Sequence, residues 1–176
     1  MDFINKISIK ARVAFYIAIA EKLFEQVNQN VSGYTQAREA LDHCWSWLEG
    51  KAITGDELYE YLENEQDTGL MVFGYYFKND PINEPIWKII ITSLMYNIWQ
   101  AYQIENERYL PQTIEDVDET IIDDFMRYID ECQTFNRVWV DLLINYLIEN
   151  YGTSNTNGNS AILKNEVMQI IQGACL

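Results

Sequence analysis

Histidine is nearly missing from this chain, and His43 is the only one. Nucleophilic machinery of the Ser-His-Asp or Cys-His kind would have to use it as the base. Its neighbours Asp42 and Cys44 do not converge on it, because successive helix positions point about 100° apart. A zinc site needs several Cys or His at local spacing. A di-iron bundle needs two Glu-x-x-His pairs, which one histidine cannot supply. Glycine-rich phosphate loops are also lacking. The sequence therefore predicts no catalytic residues, no cofactor and no metal ligands, and it reads as a non-enzyme.

Cysteine is scarce as well. Cys44, Cys132 and Cys175 are far apart, odd in number and without C-x-x-C spacing. Cys44 and Cys132 fall on apolar helical faces and read as small buried hydrophobes with free thiols in a reducing cytosol. Cys175 sits near the C-terminus and is expected to be exposed. Basic residues are few: 12 Lys+Arg stand against 27 Asp+Glu, for a formal net charge of -15. Such a field repels phosphate, which disfavours direct binding to nucleic acid or to an anionic membrane, and it attracts basic partners. Simple solubility is the competing explanation for the same charge.

Long uninterrupted apolar runs are missing too. The longest apolar stretch, 86–104, carries Lys88, Asn97 and Gln100, too polar for a membrane span. Near the N-terminus, Lys6, Lys10 and Arg12 precede an apolar run that ends Ala18-Ile19-Ala20, which mimics a secretory signal. The helical period through Val13, Tyr16, Ile17, Ala20, Leu23, Phe24 and Val27 crosses the apparent cleavage point without a break. A retained structural helix and a cytoplasmic location are expected.

What the chain does have is apolar and aromatic residues, 48% and 14% of its 176. That suffices for one domain with a real core. Trp45, Trp47, Trp87, Trp99 and Trp139 read as core. Period and punctuation predict a first helix over 8–28 capped by Ser8, and a second over 35–49 closed by Gly50. A short third helix opens on a Thr54/Glu57 capping box. The segment 70–77 fits helix or strand by period alone, and helix is favoured because no partner strand is evident. A central buried helix is expected over 84–105, with Pro85 in its first turn. One helix over 114–133 capped by Thr113, one over 135–151, a mobile polar loop over 153–159 and a last helix capped by Ser160 complete the chain. Leu163, Val167, Ile170 and Ile171 would form the apolar face of that last helix. The fold class is all-α: a single-domain, bundle-like fold of about seven or eight helices.

The acidic residues are not scattered evenly. On a continuous helix over 114–133, Val117, Ile121, Phe125, Tyr128, Ile129 and Cys132 share one face. Glu115, Asp116, Glu119, Asp123 and Asp130 gather opposite, and Arg127 can pair with Asp123 or Glu131. On the third helix, Asp56, Glu60 and Glu63 oppose Leu58 and Leu62, and no Lys or Arg occurs from Ala52 to Phe77. Asp116, Glu119, Asp123, Asp130, Asp56, Glu60 and Glu63 are thus candidates for meeting a basic partner. A solvated face is the alternative. A metal-dependent enzyme using the carboxylates of 118–124 is a further, weaker one.

Two stretches carry a family resemblance. They are Arg12-Val-Ala-Phe-Tyr-Ile-Ala-Ile-Ala-Glu-Lys-Leu-Phe24 and Ala40-Leu-Asp-His-Cys-Trp-Ser-Trp-Leu-Glu49, the latter followed by Gly55-Asp-Glu-Leu-Tyr59. Over about its first 70 residues the chain resembles the sixth numbered family of immunity proteins of bacterial polymorphic-toxin systems. The resemblance implies an all-α antitoxin, held in the producer's cytosol, that binds a cognate toxin domain. It brings no catalytic residues with it. The acidic surface agrees with a basic toxin, such as a nuclease. It also suits a nucleic-acid mimic acting on some other DNA-binding enzyme.

Overall fold

Ser8 starts the first long helix for a local reason: its hydroxyl accepts a hydrogen bond from the Ala11 N–H at 3.3 Å. The computed structural model describes residues 3–154 and 160–172. They form a short 3₁₀ turn, Ile4–Lys6, and nine α-helices. These are α1 (Ile9–Phe24), α2 (Tyr34–Leu48), α3 (Gly55–Leu62), α4 (Leu70–Tyr76), α5 (Asn83–Glu105), α6 (Gln112–Glu115), α7 (Ile121–Glu131), α8 (Val138–Tyr151) and α9 (Lys164–Gln172). The fold is all-α, and among the described residues no helix is long and apolar enough to cross a membrane.

The centre is the pair α1 and α5. Twelve of the sixteen residues of α1 are buried, and α5 is buried on most of its circumference. A helix apolar on nearly every side must be covered on nearly every side. Accordingly α1 touches α2, α5, α8 and α9, while α5 also carries α3, α4 and α7. Tyr16 of α1 stacks on Tyr96 of α5 at 4.3 Å, and Phe125 of α7 meets Tyr16 edge-on at 4.6 Å. One core of buried apolar side chains runs from Phe3 to Ile171. Four of the tryptophans are buried in it, and Trp99 packs against it.

Local chemistry fixes the turns. Gly33 precedes α2 with φ of +84°, and a Cβ there would run into the Phe73 ring of α4. Only glycine meets both conditions. The Thr54/Glu57 capping box forms as read: the Thr54 hydroxyl accepts from the Glu57 N–H at 3.2 Å, and the Glu57 carboxylate accepts from the Thr54 N–H at 2.8 Å. We expect Thr54→Ala to cost about 1 kcal/mol and to raise amide exchange first in α3. Equal exchange in α3 and α2 would show that the cap is not what holds the helix end. Segment 70–77 is helical, with α4 resting on α5.

Three readings of the sequence need correction. The helix expected over 114–133 is two helices, because the Asp118 carboxylate accepts from the Thr120 N–H at 2.7 Å and from its hydroxyl at 2.6 Å. That local turn competes with the helix ladder. Thr113 does not cap. Its hydroxyl donates to Glu63 at 2.8 Å. Ser160 lies four residues before α9 begins, and Leu163 is exposed, so the buried face of α9 is Val167, Met168 and Ile171. The break adds a helix to the seven or eight expected.

The chain ends of the core are tied together. Ile7 and Gly152 form an isolated antiparallel bridge, with Ser8 N–H to Tyr151 C=O and Thr153 N–H to Lys6 C=O, each 2.9 Å. Cys44 and Cys132 are buried free thiols, and burial pushes the Cys132 thiol up to about 11. Cys175 and residues 155–159 of the polar loop lie outside the described residues.

Candidate partner-binding surface

The seven acidic candidates separate into three groups. Asp116, Asp123 and Glu60 are exposed and have no hydrogen-bond or ion-pair partner for their carboxylates among the described residues. Asp130, Asp56 and Glu63 are engaged. Asp130 pairs with Arg137. Asp56 of α3 accepts from the Tyr102 hydroxyl of α5 at 2.8 Å. Glu63, at the end of α3, accepts from the Tyr59 hydroxyl at 2.6 Å and the Thr113 hydroxyl at 2.8 Å. Burial and the Glu63 bond both push the Tyr59 phenol above its usual range.

Glu119 stands alone, and its predicted position on an outer acidic face is not what the structure shows. The break between α6 and α7 leaves its side chain 37% exposed and brings its carboxylate against α1 and α5. There it accepts from Arg12 of α1 at 2.6 Å and from the Tyr96 hydroxyl at 2.8 Å, with the Gln100 amide at 3.4 Å. Arg127 pairs with Asp124 at 2.5 Å and approaches Glu131 at 3.8 Å, and it leaves Asp123 free.

Two concavities adjoin the α3 acids. A cleft of about 440 Å³ opens between the end of α3 and the start of α4, with Glu60, Glu63, Glu65 and Asp67 on its wall and Leu62, Met71 and Val72 beneath. Asn64 braces the intervening turn by accepting from the Gln66 N–H at 3.2 Å and the Thr68 N–H at 3.1 Å. On the other side of Met71, a groove of about 360 Å³ runs between α4 and α7 over α5. Ile91, Thr92 and Met95 form its floor, and Tyr75 and Tyr128 stand at its edges. At Gly74 a Cβ would come within 2.6 Å of the Ile91 Cδ1 methyl, the mobile end of that side chain.

The exposed side of α4 escaped the sequence reading. Tyr75 and Tyr76 are 73% and 66% exposed, as is Ile82 at 66%. An aromatic run reads as core, and only the packing of α4 on one side shows which rings remain outside.

Among the described residues, no group of three His, Cys, Asp or Glu side chains is placed to hold a metal ion. His43 Nδ1 lies 2.9 Å from the Glu39 carbonyl, and its Nε2 lies 3.3 Å from the Tyr61 hydroxyl, so it joins α2 to α3. Tyr75 and Tyr76, exposed on this all-α scaffold, are of the residue type enriched where proteins contact one another. The chain matches the family described as immunity protein Imm6 over residues 11–132, and it belongs to that family. It is therefore an immunity protein of toxin systems. Neither a curated protein nor a solved structure matches it. The matched stretch runs from within α1 to the end of α7, well beyond the first 70 residues that carry the resemblance.

Proposed function

We propose that this protein binds a cognate toxin domain in the cytoplasm of the producing cell and neutralises it by occupancy, with no turnover of its own. The match to the immunity family carries this reading. The net charge of -15 and the unpaired carboxylates of Glu60, Asp116 and Asp123 point to a basic partner. A toxin that cleaves nucleic acid needs a basic cleft for its phosphates, and a carboxylate surface fits such a cleft. The field would mainly speed encounter and exclude nucleic acid and anionic membrane from this surface.

The test is charge neutralisation that spares the fold. Converting Glu60, Asp116, Asp123 and Asp130 to Gln or Asn, with Glu119 kept, should leave the melting temperature nearly unchanged. Association with the toxin domain encoded beside this gene should slow by about tenfold at low salt and lose most of its salt dependence. Growth protection of cells expressing the toxin should weaken. An unchanged association rate with full protection would place the interface elsewhere. No binding by the wild-type protein, together with no protection, would end the antitoxin reading.

A further inference from the structure

Two concavities meet at Met71, and exposed apolar side chains stand beside them. Tyr75, Tyr76 and Ile82 stand in solvent around α4, and Met71 separates the acidic α3–α4 cleft from the apolar α4–α7 groove. Tyrosine and methionine are the residues that fill protein–protein contacts, the first as rigid anchors and the second as adaptable packing. Charge is graded along the same surface. The cleft wall holds four carboxylates and no Lys or Arg. At the other end Lys88 lines the groove, held by Glu84 at 2.7 Å, and Lys78 lies 5.9 Å from the Tyr75 ring.

We propose that the α4–α7 groove seats an apolar side chain of the toxin, while the α3–α4 cleft holds a Lys or Arg from the same toxin segment. The proposal rests on the toxin-binding reading above and adds to it the site and the chemistry of the bound segment. The cationic stem lies along Met71 and Val72, and its head meets Glu60, Glu63, Glu65 and Asp67. The neutral or acidic end of the segment points toward Lys78 and Lys88, which sets its direction.

Charge selects this occupant over the others. In a two-fold contact with a second copy, the same patch would face itself, bringing together surfaces from chains of net charge -15 each. An anionic lipid surface or a nucleic acid is repelled by the same field. A basic segment with one apolar anchor is favoured on both counts.

The measurement is binding of the catalytically inactivated toxin domain encoded beside this gene, by biolayer interferometry at two salt concentrations. Tyr75→Ala and Met71→Ala should each speed dissociation about tenfold or more with little change in association. The pair Glu65→Gln and Asp67→Asn should slow association, most strongly at low salt. Asn suits position 67 because the backbone there has φ of +53°. Near-UV circular dichroism and the melting temperature should match wild type, since these side chains are exposed. If wild type binds and protects while all these variants bind as wild type does, the groove is not the site and the antitoxin reading stands. If wild type itself fails to bind, both fall. If Tyr75→Ala turns a dimer into a monomer and leaves toxin affinity unaltered, the groove belongs to a second copy and the proposal is overturned.

Discussion

Replacing Glu21 with alanine should lower stability by about 3 kcal/mol, the lower end of the range for breaking a buried ion pair from one side. Glu21 is 7% exposed on α1, and three side chains from two other helices, α2 and α9, converge on it. Arg38 of α2 donates to both of its oxygens at 2.6 and 2.7 Å, the Trp45 indole N–H donates at 3.1 Å, and Lys164 of α9 lies 3.1 Å away. Alanine would leave an indole N–H unanswered and two cations sharing Asp42, which already holds Arg38 at 2.8 Å and Lys164 at 3.3 Å. That residual partner is why the lower figure is expected. Urea denaturation should show a midpoint lower by roughly 1–2 M at an ordinary slope. A midpoint indistinguishable from that of wild type would mean that the network contributes nothing net.

The same carboxylate gives a pH signature. Burial works against its ionisation, but the hydrogen bond and charge of Arg38, with Lys164 behind them, outweigh burial and hold it below the usual range. A depressed acid stabilises the fold above its unfolded pKa, about 4.3 for Glu. That stability is lost as pH falls through the lower folded value. The gap between wild type and Glu21→Gln should therefore be fully open near neutrality and close below about pH 4. A gap of constant size down to the acid transition would show that Glu21 acts by shape alone.

Glu119→Ala is the second large effect, about 2–3 kcal/mol. One carboxylate joins the turn between α6 and α7 to α1 through Arg12 and to α5 through Tyr96 and Gln100. Its ion pair is partly solvated and contributes the smaller share. The larger share is the loss of the acceptor for the Tyr96 hydroxyl, whose ring stacks on Tyr16 in the core, while Gln100 keeps the Tyr96 oxygen as an acceptor at 3.0 Å. Asp116→Asn and Asp123→Asn, a few residues to either side, should change stability by no more than about 0.5 kcal/mol. Thermal melts of the three variants decide it. Equal melting temperatures would restore Glu119 to the exposed acidic surface. A protection assay run well below the melting temperature should find the Glu119 variant still active, which separates a folding role from a binding one.

The contrast among these acids shows how far the sequence could be read. Helices that begin on a local signal were legible, as at Ser8 and at the Thr54/Glu57 box, because each cap is decided within four residues. The near-continuous burial of α1 and α5 followed from apolar residues on most of their circumference. The turn at 116–120 was hidden: Ile114, Val117, Ile121 and Phe125 keep a helical apolar period straight across it, while the competing Asp118–Thr120 turn leaves no mark on periodicity. Once the helix breaks, a wheel drawn through it points Glu119 the wrong way. Its partner Arg12 is 107 residues distant, beyond the reach of any local rule. Asp116, Asp123 and Glu60 are exposed as read, whereas the ties of Asp56 to Tyr102 and of Glu63 to Thr113 depend on helix packing. The exposed tyrosines of α4 were missed because aromatic content says nothing about which side of a short helix is covered.

The covering of α1 also sets an order in time. Its partners α5, α8 and α9 all come later in the chain, and Lys164, which completes the Glu21 network, comes last among them. At roughly 5–20 residues per second of translation, α9 emerges roughly seven to thirty seconds after α1. Late in that interval the nascent chain presents an apolar helix whose α8 and α9 covers are still unmade. A chain stalled before α8 would contain the whole stretch matched to the immunity family and still leave α1 bare on the sides that α8 and α9 occupy.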